Sequence, residues 1–173
     1  MPIIATGVPQ ATQPQSRWRV VAIAGLLAGA LDLTFAFIFY SFQGATPPGI
    51  LRGIASGLIG HDAAFAPGSA PVALGAFLHF FIAVSAAFIF YAASRRLPLL
   101  VRRPLVSGAA YGVAVYLVMH LVVIPLSRVP FRLPSLQNAV GELCSHIFLF
   151  GMVIALGAAR ASRGATGREL TGR

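Results

Sequence analysis

"PVALGAFLHFFIAVSAAFIFYAA", residues 71–93, contains no Asp, Glu, Lys or Arg, and its one imidazole is His79. About 20 apolar residues wound as a helix cross the roughly 30 Å hydrocarbon core of a bilayer. A helix also satisfies its own backbone polar groups where no water can. Soluble cores, by contrast, are assembled from shorter amphipathic elements. The stretch therefore reads as a transmembrane helix. Three further runs, 20–42, 104–126 and 137–159, have the same length and character. Of 173 residues, 57% are apolar and 10% charged, too few charges to solvate a globular surface. The expected fold class is all-α integral membrane, a four-transmembrane-helix bundle.

The first run follows Arg17 and Arg19 and resembles a secretory signal in that respect. It is about twice as long as a signal's apolar region, however, and Asp32 interrupts it. An uncleaved helix is expected. All thirteen basic residues are arginine. With four spans, Arg17, Arg19, Arg95, Arg96, Arg102, Arg103, Arg160, Arg163, Arg168 and Arg173 fall on one side, leaving Arg52, Arg128 and Arg132 on the other. Arginine collects in cytoplasmic loops, so both termini are expected in the cytoplasm and the chain in the bacterial inner (plasma) membrane. The net charge of +9 does not indicate nucleic acid, because no aromatics interleave with the basic residues. Contact with the bilayer and with anionic lipid headgroups accounts for the excess more simply. A homo-oligomer is compatible with this pattern. Cys144 is the only cysteine, so there is no internal disulfide.

Residues 1–16, rich in Pro, Gln and Thr, read as a disordered cytoplasmic tail. Residues 161–173, rich in Gly and Arg, read as a basic tail of the same kind. A single membrane domain occupies 17–160. Trp18 and Tyr91 are placed as interfacial aromatics. Between the first two spans, residues 49–60 divide cleanly on a helical wheel. Ile50, Leu51, Ile54, Ala55, Leu58 and Ile59 fill one half, and Arg52, Gly53, Ser56, Gly57 and Gly60 the other. A short amphipathic helix lying in the membrane interface is expected there, launched by Pro47 and Pro48. Ser135 is the expected N-cap of the fourth span.

Each span carries at least one ionisable residue: Asp32, His79, His120, and Glu142 with His146. Such groups are expensive in hydrocarbon and face a protein interior or a water-filled cavity. Counting 1.5 Å per residue from the outer helix ends puts Asp32 at about 15 Å, His146 about 13 Å, His79 about 12 Å, His120 about 9 Å and Glu142 about 7 Å. One layer in the outer half of the bilayer is expected. Gly25 and Gly29 flank Asp32, Gly75 precedes His79, Gly108, Gly112, Tyr116 and His120 form an i, i+4 stripe, and Asn138, Glu142 and His146 form another. Small residues mark packing faces, so the layer points into the bundle. Cys144 lies off that stripe.

Several roles suit such a set. A hydrogen-bonded network can fix helix register, as a structural or membrane-stress element. The three imidazoles and two carboxylates can also ligate a transition metal, zinc or iron, with Tyr116 and Asn138 as supporting residues. A proton or ion relay in a small transport or redox protein is equally consistent. Haem between His79 and His146 is the weakest option, since nothing else marks a porphyrin slot. No nucleophile elbow, phosphate loop, HExxH or CxxC occurs, so an enzyme is not the favoured reading.

"LHFFIAVSAAFIFY" (78–91), "GVAVYLVMHLVVIPL" (112–126) and "GELCSHIFLFG" (141–151) resemble the YagU-like family of small bacterial inner-membrane proteins. The resemblance covers about residues 74–158, and the first helix with Asp32 departs from it. It implies a multi-pass inner-membrane protein and brings no activity, since the family's molecular function is unknown.

Overall fold

The computed structural model of the protein describes residues 17–130 and 133–171. Residues 1–16, where a disordered tail is expected, lie outside that range. The chain order is α1 (Arg17–Ser41), α2 (Pro47–Ile59), α3 (His61–Phe65), α4 (Ala70–Arg96), α5 (Leu99–Arg102), α6 (Pro104–Leu126) and α7 (Leu136–Thr171). Among the described residues there is no strand. Four helices, α1, α4, α6 and α7, are long and apolar enough to cross a membrane. The local chemistry explains their limits. Thr46 caps α2 by accepting the Gly49 N–H at 3.3 Å, with Pro47 and Pro48 in the first turn. Gly60, at φ 83°, ends that helix in a conformation other residues avoid. Ser135 caps α7 as expected, accepting from Asn138 N at 3.2 Å.

Alanines make up much of the core, and many large apolar residues face out. The core is built from Val21, Ala28, Ala83, Ala87, Phe90, Ile154, Ala155 and Ala158. Leu26, Leu27, Phe77, Phe81, Leu117 and Leu121 are exposed. That inversion suits a lipid surround, where helices associate by close backbone packing rather than by hydrophobic exclusion. Glycine makes the closest approaches. A Cβ on Gly25 would lie 2.8 Å from Val84 Cα, and one on Gly108 would lie 2.6 Å from Met152 Cα. α7 is the hub, touching α1, α4 and α6.

Three features add to the sequence reading. The helix of α7 does not end near residue 160, because its backbone stays helical to Thr171. Ala, Arg, Glu and Leu in that stretch are strong helix formers and outweigh Gly164 and Gly167. Tyr91 is buried at 3% exposure rather than interfacial, and Trp18 packs edge-on against it at 5.7 Å. α2 forms where the wheel places it, yet its buried positions are Ala55 and Ser56, and Leu58 is exposed. It turns a small-residue edge inward because Leu51 backbone meets α4 at Gly75, where no side chain intervenes. Arg52 is likewise not free: its guanidinium donates to the carbonyls of Ala64 (2.8 Å), Ala66 (2.6 Å) and Gly68 (2.6 Å). These carbonyls at and beyond the end of α3 have no helical partner, and a five-donor fork suits them.

Candidate functional site: a polar clasp between three helices

α1 ends, and α7 begins, at the end of the bundle opposite Arg95 and Arg96. At that end the side chains of α1, α6 and α7 meet. Glu142, on α7, sits at the centre. Its Oε1 accepts a hydrogen bond from the Tyr40 hydroxyl of α1. Its Oε2 lies 3.0 Å from His120 Nε2 of α6. One turn along, Asp32 of α1 accepts from Ser145 Oγ at 2.6 Å. His146 Nδ1 donates to the Glu142 carbonyl at 2.8 Å and stands 4.0 Å from Asp32 Oδ1, beyond hydrogen-bonding distance. Tyr116 fills the space between the imidazoles, its ring 4.2 Å from that of His120 and 5.7 Å from that of His146.

The backbone under both histidines departs from α geometry. Met119–Val123 and His146–Gly151 are π-helical. In α6 the cause is Pro125, which has no N–H for the Leu121 carbonyl and crowds it with its ring. The Ile124 N–H reaches back to Met119 O instead. Such widened turns re-aim side chains and recur at functional sites.

Four of the five ionisable residues expected in one layer are therefore brought together: Asp32, His120, Glu142 and His146. His79 is not among them. Its Nε2 donates to the Gly29 carbonyl at 2.9 Å, on the seam between α4 and α1. Tyr116 supports the cluster as expected, whereas Asn138 lies at the rim, accepting from Gln43 Nε2 at 3.0 Å. Cys144 is exposed and uninvolved. Tyr40 and Ser145 are participants that the ionisable-residue pattern does not reveal. Ser145 lies three residues after Glu142 on the same helix, and Tyr40 lies two turns beyond Asp32, so helical spacing alone makes both available.

The set considered above as metal ligands is not drawn around one point. The groups associate in pairs, and among the described residues no three His, Cys, Asp or Glu side chains gather around a point that could hold a metal ion.

His120 stands between two acceptors. Its Nδ1 lies 3.0 Å from the Tyr116 carbonyl, and its Nε2 faces the Glu142 carboxylate. Both partners are acceptors, yet a neutral imidazole offers only one N–H. All four side chains of the two acid–imidazole pairs remain partly exposed, at 15–24%. Among the described residues, no buried side-chain polar atom lacks a partner.

No protein-family model matches the chain, and no curated protein or solved structure matches it significantly.

Proposed function

We propose that this chain is a multi-pass protein of the bacterial inner membrane, with both termini cytoplasmic and α2 lying in the outer interface. In this reading it is a YagU-like protein, and its polar cluster is an interhelical clasp rather than a catalytic centre. The observation that carries the clasp is Glu142: one carboxylate on α7 takes a donor from α1 through Tyr40 and from α6 through His120. Lipid gives neighbouring helices no hydrophobic reason to choose one register over another. Two directional bonds from one residue supply that choice, and they leave the lipid-facing surfaces apolar.

The test compares two substitutions in detergent-solubilised protein. Glu142→Ala removes both bonds and leaves Tyr40 and His120 without their partner. At roughly 1 kcal/mol per interhelical hydrogen bond, it destabilises the fold by about 2 kcal/mol. Glu142→Gln keeps the shape: its carbonyl accepts from Tyr40, and its amide donates to a neutral His120. Stability within about 0.5 kcal/mol of wild type is expected. A Glu142→Ala protein as stable as wild type removes the basis for the clasp.

The placing of His120 between the Tyr116 carbonyl and the Glu142 carboxylate favours a second reading, a proton relay through the same residues. There, Glu142→Gln abolishes pH-driven proton movement in proteoliposomes while the fold stays intact. A wild-type protein that moves no protons leaves the clasp as the sole role.

A further inference from the structure

At the opposite end of the bundle, α4 closes with Arg95 and Arg96 in its last turn. Beside them lies an open hollow of about 520 Å³, lined by Ala92, Ala93, Arg95 and Arg96. Both arginines are exposed, and among the described residues neither guanidinium pairs with a carboxylate.

The hollow is two-natured. Its charged wall offers paired N–H donors, which match the oxygens of a phosphate better than any other common anion except a carboxylate. Its floor is the methyl surface of two alanines continuous with an apolar span. It lies where that span gives way to arginine, the level at which lipid phosphates sit. Inorganic phosphate shares the anionic chemistry but has no apolar part to lay on Ala92 and Ala93. A zwitterionic lipid brings an ammonium group into a field of two guanidinium groups, whereas an anionic one does not.

We propose that the hollow of Arg95 and Arg96 binds the phosphate headgroup of an anionic phospholipid, with the lipid's apolar portion continuing over Ala92 and Ala93. The site is separate from the clasp and does not depend on it.

Native mass spectrometry of the detergent-purified full chain tests this, with phosphatidylglycerol, phosphatidylcholine and inorganic phosphate as probes. Retention of phosphatidylglycerol at least fivefold above phosphatidylcholine is expected. Arg95→Gln with Arg96→Gln reduces that retention to the phosphatidylcholine level, and Arg163→Gln, an exposed arginine of α7, leaves it unchanged. If the double variant does not fold, the single Arg96→Gln is read the same way and loses most of the adduct. Millimolar inorganic phosphate leaves the lipid adduct in place. Equal retention by the variants and wild type overturns the proposal, as does equal retention of both lipids. Displacement of the lipid by inorganic phosphate also overturns it, and makes the hollow a site for the free anion.

Discussion

A carboxylate among apolar helices needs a donor for each oxygen, and Glu142 finds one on each of two other helices. The pairwise consequences are specific. Tyr40→Phe deletes one donor at almost constant volume and is expected to destabilise the fold by about 1 kcal/mol in reversible unfolding. Because Tyr40 and His120 share an acceptor, Tyr40→Phe and His120→Phe should be non-additive in a double-mutant cycle. Tyr40→Phe and His79→Phe should add, since His79 bonds Gly29 O and shares no partner with Tyr40. Additivity for the first pair would show that the carboxylate does not couple them. The ionisable members of this cluster are legible in the sequence because a charge within an apolar run is anomalous wherever it occurs. Tyr40 and Ser145 are not, since hydroxyl side chains are ordinary in such helices and only the rotation of each helix about its axis decides their role. That rotation also removes His79. Both it and the glycine face of α1 turn to the α1–α4 seam, so His79 does not join the other four.

At the scale of elements, the decisive contact is the crossing of α6 and α7. A Cβ on Gly112 would run into the His146 carbonyl, at the first residue of the π-helical turn of α7. Gly112→Ala is therefore expected to separate the helices, destabilise the protein by about 1–3 kcal/mol and lengthen the His120–Glu142 contact. Gly53 is the internal control. It lies in α2, and an added Cβ there would meet nothing within 4 Å. Gly53→Ala should stabilise by about 0.5–1 kcal/mol through helix propensity alone. Thermal unfolding of the two variants gives opposite signs if the packing is as described. Span lengths and caps follow from local chemistry, which is why 104–126 and Ser135 could be placed from the sequence. The buried edge of α2 depends on Gly75 of a different helix, which no wheel of α2 contains. The grip of Arg52 on the loop after α3 likewise depends on carbonyls 12 to 16 residues away.

For the whole molecule, span number and orientation are separate questions, and they fail separately. An even number of crossings puts both termini on one side whatever the direction of insertion. In the proposed orientation the arginines choose the side: by sequence, ten fall in the termini and the connection between the second and third spans, against Arg52, Arg128 and Arg132 in the other two connections. Positive loops resist translocation. Reporters active only in the periplasm should therefore be silent when fused ahead of Met1 or after Arg173, and active when inserted at Gly68, in the loop between α3 and α4. Termini on opposite sides would contradict the bundle itself, because α7 packs against α1, α4 and α6 along one common core and cannot do so from a different number of crossings. Two active terminal reporters with a silent loop would leave the bundle intact and reverse only its orientation. The clasp would then lie in the cytoplasmic half, and the Arg95–Arg96 hollow would face the opposite leaflet. Gly68 suits the insertion because its φ of 118° marks an open turn with nothing within 4 Å of an added Cβ. Its carbonyl takes only one of the three bonds from Arg52, so the other two should hold α3 in place and the readout should report topology rather than unfolding.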